Sequence, residues 1–374
     1  MLLAVLSVAA LLVAACGSDD AAAPAAVQAT PTITLPAATA TVAPVPDPTA
    51  APRPAPTATP RPAPTPVPTP NPWAIPGIVD PDNFGWPREL EVDGERVTIA
   101  GPPERLHTLS LGHDEIVVAL VGAKTLVGIG SFTANETYSN VALAVADLPK
   151  VRRDPEEVVA LDPDLVIASK FTKQDLVDSI RGAGITVVRT ALERSSEGHE
   201  TNIRVLAYML GAEAAAEVLI ADIRGRIEFI QEKTGGVAAG ERPTVLSIAR
   251  FSDSISAAGG DSTEGGIIEQ AGGVNAAAEA GFEGNQTISL ESIVAMNPDL
   301  IVITQPDPEA SELRDELLGE PALAGVPAIA DGRVVIGDPR FFTTLSHWNV
   351  RGIEELAALL YPDAFAGVEF KDFD

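Results

Sequence analysis

One stretch of this chain occurs twice. Residues 156–169 read EEVVALDPDLVIAS, and 135 residues later residues 291–304 read ESIVAMNPDLIVIT. Glu156/Glu291, Val159/Val294, Ala160/Ala295, Pro163/Pro298, Asp164/Asp299 and Leu165/Leu300 are identical, and most other pairs exchange like for like. Each copy reads as a short helix opened by Glu, broken at Asx-Pro-Asp, then a four- to five-residue apolar strand. Proline ends the helix because its ring excludes the αR backbone of the residue before it. An uncharged strand run suits a strand covered on both faces. Two similar α/β lobes follow, an N-lobe over 87–197 and a C-lobe over 236–374.

Between them, residues 198–235 carry one helical pattern. Ile203, Leu206, Ala207 and Leu210 are spaced helically, and after Gly211 come Ala215, Val218, Leu219, Ile223, Ile227 and Ile230. The pattern predicts one continuous helix that joins the lobes and limits their hinging. Around the repeat, 88–99 alternates about Asp93-Gly94, a hairpin signal. Leu106 to Leu111 reads as a strand, Glu115 to Val121 as a helix stopped at Gly122, and Thr125 to Gly130 as a second strand. The fold class expected is α/β, two Rossmann-like lobes joined by a single long rigid helix with a ligand cleft between them.

The first fifth cannot be part of either lobe. Sixteen prolines fall between Gly17 and Pro72, and proline at that density removes backbone donors and fixes an extended φ. Residues 16–86 are expected to be a Pro/Thr/Ala-rich tether, at ~3.1 Å per residue when extended. Residues 1–15, MLLAVLSVAALLVAA, form an apolar run too short to span a bilayer as a mature helix and suited to a secretory signal. The sole cysteine follows, in Val13-Ala14-Ala15-Cys16. This resembles the bacterial lipobox, which implies that Cys16 becomes a lipidated N-terminus anchored in a bilayer.

Composition removes several functions. With 52 Asp+Glu against 25 Lys+Arg the net charge is −27, so the basic footprint of a nucleic-acid binder is absent. One cysteine excludes a disulfide framework and a cysteine-based zinc site. No Gly-x-Ser-x-Gly elbow or P-loop occurs, and Gly128-Ile-Gly130 lacks a third glycine. Gly260-Asp261-Ser262 does not follow a first strand as a GDS hydrolase motif would. The four histidines, His107, His113, His199 and His347, show no paired ligand spacing. No catalytic residue, metal set or cofactor is expected, and the chain reads as a non-enzyme.

Five stretches in a fixed order carry a family likeness: RLHTLSLGHDEIVVALVGAKTLVGIG; LPKV with the first repeat; GGIIEQAGGVNAAAEAG with the second; DGRVVIGDPRFF; and IEELAALLYPDAF. Together they resemble the substrate-binding proteins of bacterial ABC importers, in the rigid-helix class whose members bind iron–siderophore complexes, haem or cobalamin. The resemblance covers about 95–370. It implies an extracytoplasmic, lipid-anchored, monomeric carrier that delivers an Fe(III)–siderophore to a membrane permease and its ATPase. A haem or cobalamin carrier, or a surface receptor or adhesion module on the same fold, are the alternatives. It also implies that Glu156 and Glu291, one per lobe, dock on permease arginines; a first-turn carboxylate is equally favoured by the helix dipole. Ligand contacts are expected in loops at the carboxyl ends of the strands. The candidates there are His113, Tyr138, Arg152, Arg153, Lys170, Arg250, Phe251, Phe342, His347 and Trp348. Cations would meet an anionic chelate and aromatic rings its organic scaffold. Tyr138 lies where haem-binding members place an axial tyrosine.

Overall fold

The computed structural model describes residues 71–192 and 196–373. The signal run, Cys16 and most of the tether lie outside the described residues. The strands are β1 (Arg88–Val92), β2 (Glu95–Ile99), β3 (Leu106–Thr108), β4 (Leu126–Gly128), β5 (Leu165–Ser169), β6 (Thr186–Thr190), β7 (Thr244–Phe251), β8 (Ser254–Ala258), β9 (Val274–Asn275), β10 (Asn285–Ile288), β11 (Leu300–Ile303) and β12 (Val334–Ile336). The helices are α1 (Leu111–Val121), α2 (Pro155–Ala160), α3 (Gln174–Gly182), α4 (Ser196–Leu210), α5 (Glu213–Thr234), α6 (Thr263–Gln270), α7 (Ala276–Glu279), α8 (Leu290–Met296), α9 (Glu309–Gly319), α10 (Pro327–Ala330), α11 (Pro339–Phe342) and α12 (Asn349–Leu360).

The N-lobe sheet is parallel, in the order β4-β3-β5-β6. In the C-lobe β9-β7-β11-β12 repeats that order with parallel pairing, and the antiparallel strands β8 and β10 extend it. The repeated segments are the α2–β5 and α8–β11 units. In β5, Leu165 and Ile167 face the core shared with α1, α4 and α5, while Val166 and Ala168 face α2 and α3. In β11, Leu300 and Val302 face α6 and α12, while Ile301 and Ile303 pack with Ile293 of α8 and Leu313 of α9. Both faces are covered, which explains the uncharged runs.

The Asx-Pro-Asp motif has the same structural work in each copy. Asp162 and Asn297 hold φ of 51° and 49°, the left-handed region that Asx side chains tolerate. The second aspartate ties its strand to the neighbouring one. Asp164 accepts from the Glu104 and Arg105 amides at 2.7 and 3.1 Å. Asp299 accepts from the Thr244 amide and hydroxyl, both at 2.8 Å. The identity of these positions is therefore a demand of the fold.

Two boundaries differ from expectation. The connector is not continuous from 198 to 235. It breaks at Gly211, whose φ is +70° and whose Cβ, if present, would lie 3.3 Å from Trp86. Helix α4 turns there and α5 runs back along it, with Arg204 paired to Glu217 and Arg224 to Glu200. Only α5, 22 residues and so roughly 33 Å long, continues towards the C-lobe. The apolar spacing could not reveal this, because both helices bury a stripe against the same N-lobe core.

Order also begins earlier than Trp86. Trp73 is buried, Ile78 bridges to Leu90, and both belong to the N-lobe core. Residues 71–86 are thus part of the lobe, and the tether ends before them. Their three apolar anchors, Trp73, Ile75 and Ile78, outweigh the surrounding prolines. The hairpin forms as expected: β1 and β2 pair from Arg88↔Ile99 to Val92↔Glu95, with Asp93 and Gly94 at φ of 52° and 77°.

Candidate functional site

A cavity of about 350 Å³ opens at the carboxyl ends of β3 and β4. Ser110, Ser131, Phe132, Arg152 and Arg153 line it from the N-lobe. A second, of about 270 Å³, lies over β7 and β8, lined by Ser247, Phe251, Ser256, Thr263 and Thr304. Thr343 and Leu345 line both. The two cavities are therefore the halves of one cleft between the lobes, with residues 343–345 along its seam. Hydroxyls line both halves, with Leu109, Val151, Leu192 and Leu345 between them and the Glu264 carboxylate on the C-lobe side. Each half carries an exposed aromatic ring in its lining, Phe132 at 57% exposure and Phe251 at 66%.

The cleft collects only some of the expected contacts. Arg152, Arg153 and Phe251 line it. Arg152 is exposed and paired to Glu157, to which its Nε donates at 2.8 Å. Arg153 donates to the Leu109 carbonyl at 3.1 Å. Tyr138 is half-buried and meets Phe132 edge-to-face at 5.5 Å; it supports a lining residue without lining the cavity.

The other candidates lie elsewhere, for identifiable reasons. His113 is fully buried in the first turn of α1, its ring nitrogens at 2.9 Å from the Ser110 hydroxyl and 2.8 Å from that of Thr190. His347 is buried against Phe373 and Trp348, with centroids at 4.8 and 5.6 Å. Burial pushes both imidazoles down to about 3, His199 and Arg226 adding to the effect at His347. Neutral and enclosed, neither reaches the cleft. Trp348 stacks on Phe341 at 6.2 Å, and Phe342 is in the C-lobe core. Arg250 turns to Glu316 at 2.7 Å. Lys170 borders a different cavity, beside Arg189 and Glu91. The sequence places all of these near strand ends. Which face each side chain takes was not readable from it.

Two acids missed as site residues stand behind the cleft. Asp114 and Glu115 are buried next to each other on α1. Two consecutive acids in the first turn after a strand were the available signal. Asp114 accepts from Thr108 at 2.8 Å and Thr133 at 2.6 Å, both cleft-lining residues. Burial pushes its carboxyl up to about 7, against the pull of those hydroxyls. Because the folded value lies above the unfolded one, the proton stabilises the fold. That contribution is fully present below pH ~4 and is lost as pH rises through 7, about 4 kcal/mol in all at ~1.4 kcal/mol per unit. Asp114→Asn should therefore melt several degrees above the parent at pH 8 and close to it at pH 4. Melting curves across that range check it; a gap independent of pH would show that Asp114 does not titrate.

On the outer faces, Glu156 and Glu291 occupy the same place in the repeat, second residue of α2 and of α8. Both are exposed. Asp154 caps α2 and Ser289 caps α8. A hydrogen bond from Ser289 holds the Glu291 carboxyl below its usual range. Among the described residues, no helix is long and apolar enough to cross a membrane, and no group of three or more His, Cys, Asp or Glu could hold a metal ion.

A family profile described as "Periplasmic binding protein" matches residues 107–341. The "Uncharacterized ABC transporter substrate-binding lipoprotein YvrC" of Bacillus subtilis (strain 168) is 29% identical over 279 residues, 74% of this chain and 85% of that protein. A "Cobalamin-binding protein" of Halobacterium salinarum (strain ATCC 29341 / DSM 671 / R1) is 28% identical over 215 residues, 57% of each chain. Among solved structures, a periplasmic heme binding protein from Pseudomonas aeruginosa superposes with a TM-score of 0.59 at 28% identity, over 70% of this chain and 93% of that one.

Proposed function

Since this chain belongs to the periplasmic binding protein family, we propose that its cleft captures an organic metal chelate, of the iron–siderophore class. The family is non-enzymatic, and the chain is the substrate-binding component of an ABC importer, working outside the cytoplasm with a permease and an ATPase. The observation that carries the ligand reading is an exposed ring in each half of the cleft, Phe132 and Phe251, with Arg152 and Arg153 at its N-lobe rim and hydroxyls between. Exposed rings offer flat apolar area to a ligand scaffold. Guanidinium groups and hydroxyls suit the oxygens of a pre-formed, anionic chelate. Cobalamin is the second reading, favoured by the same rings and by the likeness to the Halobacterium cobalamin-binding protein. Haem is less favoured here, because Tyr138 packs on Phe132 away from the cavity. Attachment through an acylated Cys16 completes the proposal, with the tether as spacer.

Calorimetric titration with iron-loaded ferrioxamine B, a ferric catecholate, cyanocobalamin and hemin tests the assignment. Binding of a ferric siderophore that weakens about tenfold in Phe132→Ala and in Phe251→Ala supports it. Tight binding of cyanocobalamin or hemin alone would replace it.

A further inference from the structure

Residues 343–346 join α11 to α12, two C-lobe helices, yet they are fastened to the N-lobe. The Glu115 carboxylate, on α1, accepts from the Thr344 hydroxyl at 2.6 Å and the Ser346 hydroxyl at 2.5 Å. Its other oxygen accepts from the Asn140 amide at 2.9 Å and side-chain nitrogen at 2.8 Å. That same nitrogen donates to the Arg340 carbonyl at 2.9 Å. Glu115, Thr344 and Ser346 are all buried, so the carboxylate's four bonds form away from water, where leaving them unmade costs most. The backbones are close as well: a Cβ at Gly112 would lie 3.2 Å from the Leu345 carbonyl oxygen.

We infer that Glu115 is a positioning residue of the cleft, tying the 343–346 strap to the N-lobe so that the strap stays with that lobe when the two lobes part. The strap is the segment that lines both halves of the cleft. Glu115 itself touches no ligand; it fixes the seam against which the rest of the C-lobe closes. The consequence for binding rests on the chelate reading above, whereas the anchoring does not.

Hydrogen exchange on the full chain tests the anchoring without ligand. Glu115→Ala should speed exchange of the 343–346 amides at least tenfold while the strands of both lobes stay protected. Thr344→Ala with Ser346→Ala should do the same, and the triple variant should add little, because residues acting through one contact are non-additive. Unchanged strap exchange, or effects that multiply in the triple variant, would overturn the inference. Affinity for iron-loaded enterobactin, an anionic ferric catecholate, and for cyanocobalamin, measured where melting curves show every variant folded, should fall at least tenfold through faster release. Glu115→Gln, which keeps one acceptor oxygen, should be intermediate, and it stands in if Glu115→Ala does not fold. A lowered melting temperature with unchanged affinity would reduce Glu115 to a structural residue. If the parent protein binds neither probe, the chelate reading falls and the exchange result still decides the anchor.

Discussion

Cells whose importer carries Glu156→Ala with Glu291→Ala should lose uptake, while the purified variant binds its chelate as the parent does. Both carboxylates are exposed, on the outer faces of repeated helices and outside the cleft lining, so ligand affinity has no reason to change. At a permease interface each would become a desolvated charge partner. Truncating one member of such a pair costs ~2–5 kcal/mol, so each single variant should weaken coupling by tenfold or more and the pair should abolish it. Glu232→Ala is the control: that acid is exposed on α5 and lines neither half of the cleft. Transport assays in cells, set beside calorimetry on the same variants, decide between the outcomes. Lost binding would mean the two glutamates shape the cleft, and undiminished uptake would remove the docking role.

Arg88→Ala should be the most destabilising single substitution outside the apolar core. Arg88 is 2% exposed. Its Nη2 donates to the Phe84 carbonyl at 2.8 Å and its Nε to that of Gly85 at 3.2 Å. Nη1 reaches the Tyr208 carbonyl and the Glu213 carboxylate. The guanidinium also sits 4.5 Å from the Trp86 ring and 4.9 Å from that of Tyr208. One side chain thus fastens residues 84–86 to the turn between α4 and α5. Removal strands an acid and three carbonyls, for a cost of ~3–5 kcal/mol and a drop in melting temperature of about 10 °C. Lysine should not rescue it, since an ammonium cannot spread donors around the edge of a plane whose face lies on Trp86. A shift below 2 °C in calorimetry would show that the network contributes little.

The structure bears out the two α/β lobes, and it sorts the expected contacts, bringing some to the cleft and burying others. Leu165, Val166, Leu300 and Ile301 announce strands covered on both faces because burial on both sides removes charge from the sequence itself. Arg152 and Arg153, in the loop between β4 and α2, and Phe251, at the carboxyl end of β7, do line the cleft. His113 also follows a strand, and Phe342, His347 and Trp348 lie in or just after helix α11, yet all four side chains are buried.

What the sequence determined by itself is local or periodic: the alternation, the Asx-Pro-Asp break, the Asp93-Gly94 turn, the repeat spaced 135 residues apart. The local signals survive because each depends on neighbours a few residues away, and the repeat is found by comparing the chain with itself. Tertiary structure alone decided the rest. Gly211 could sit in a helix or end one, and the choice fell to Trp86, which occupies the space beside it. Glu115 could have been a solvated first-turn acid, and instead it meets Thr344 and Ser346, more than 220 residues away. Contacts over that separation leave no pattern in a single sequence, because either partner alone is an ordinary polar residue until the fold brings the two together.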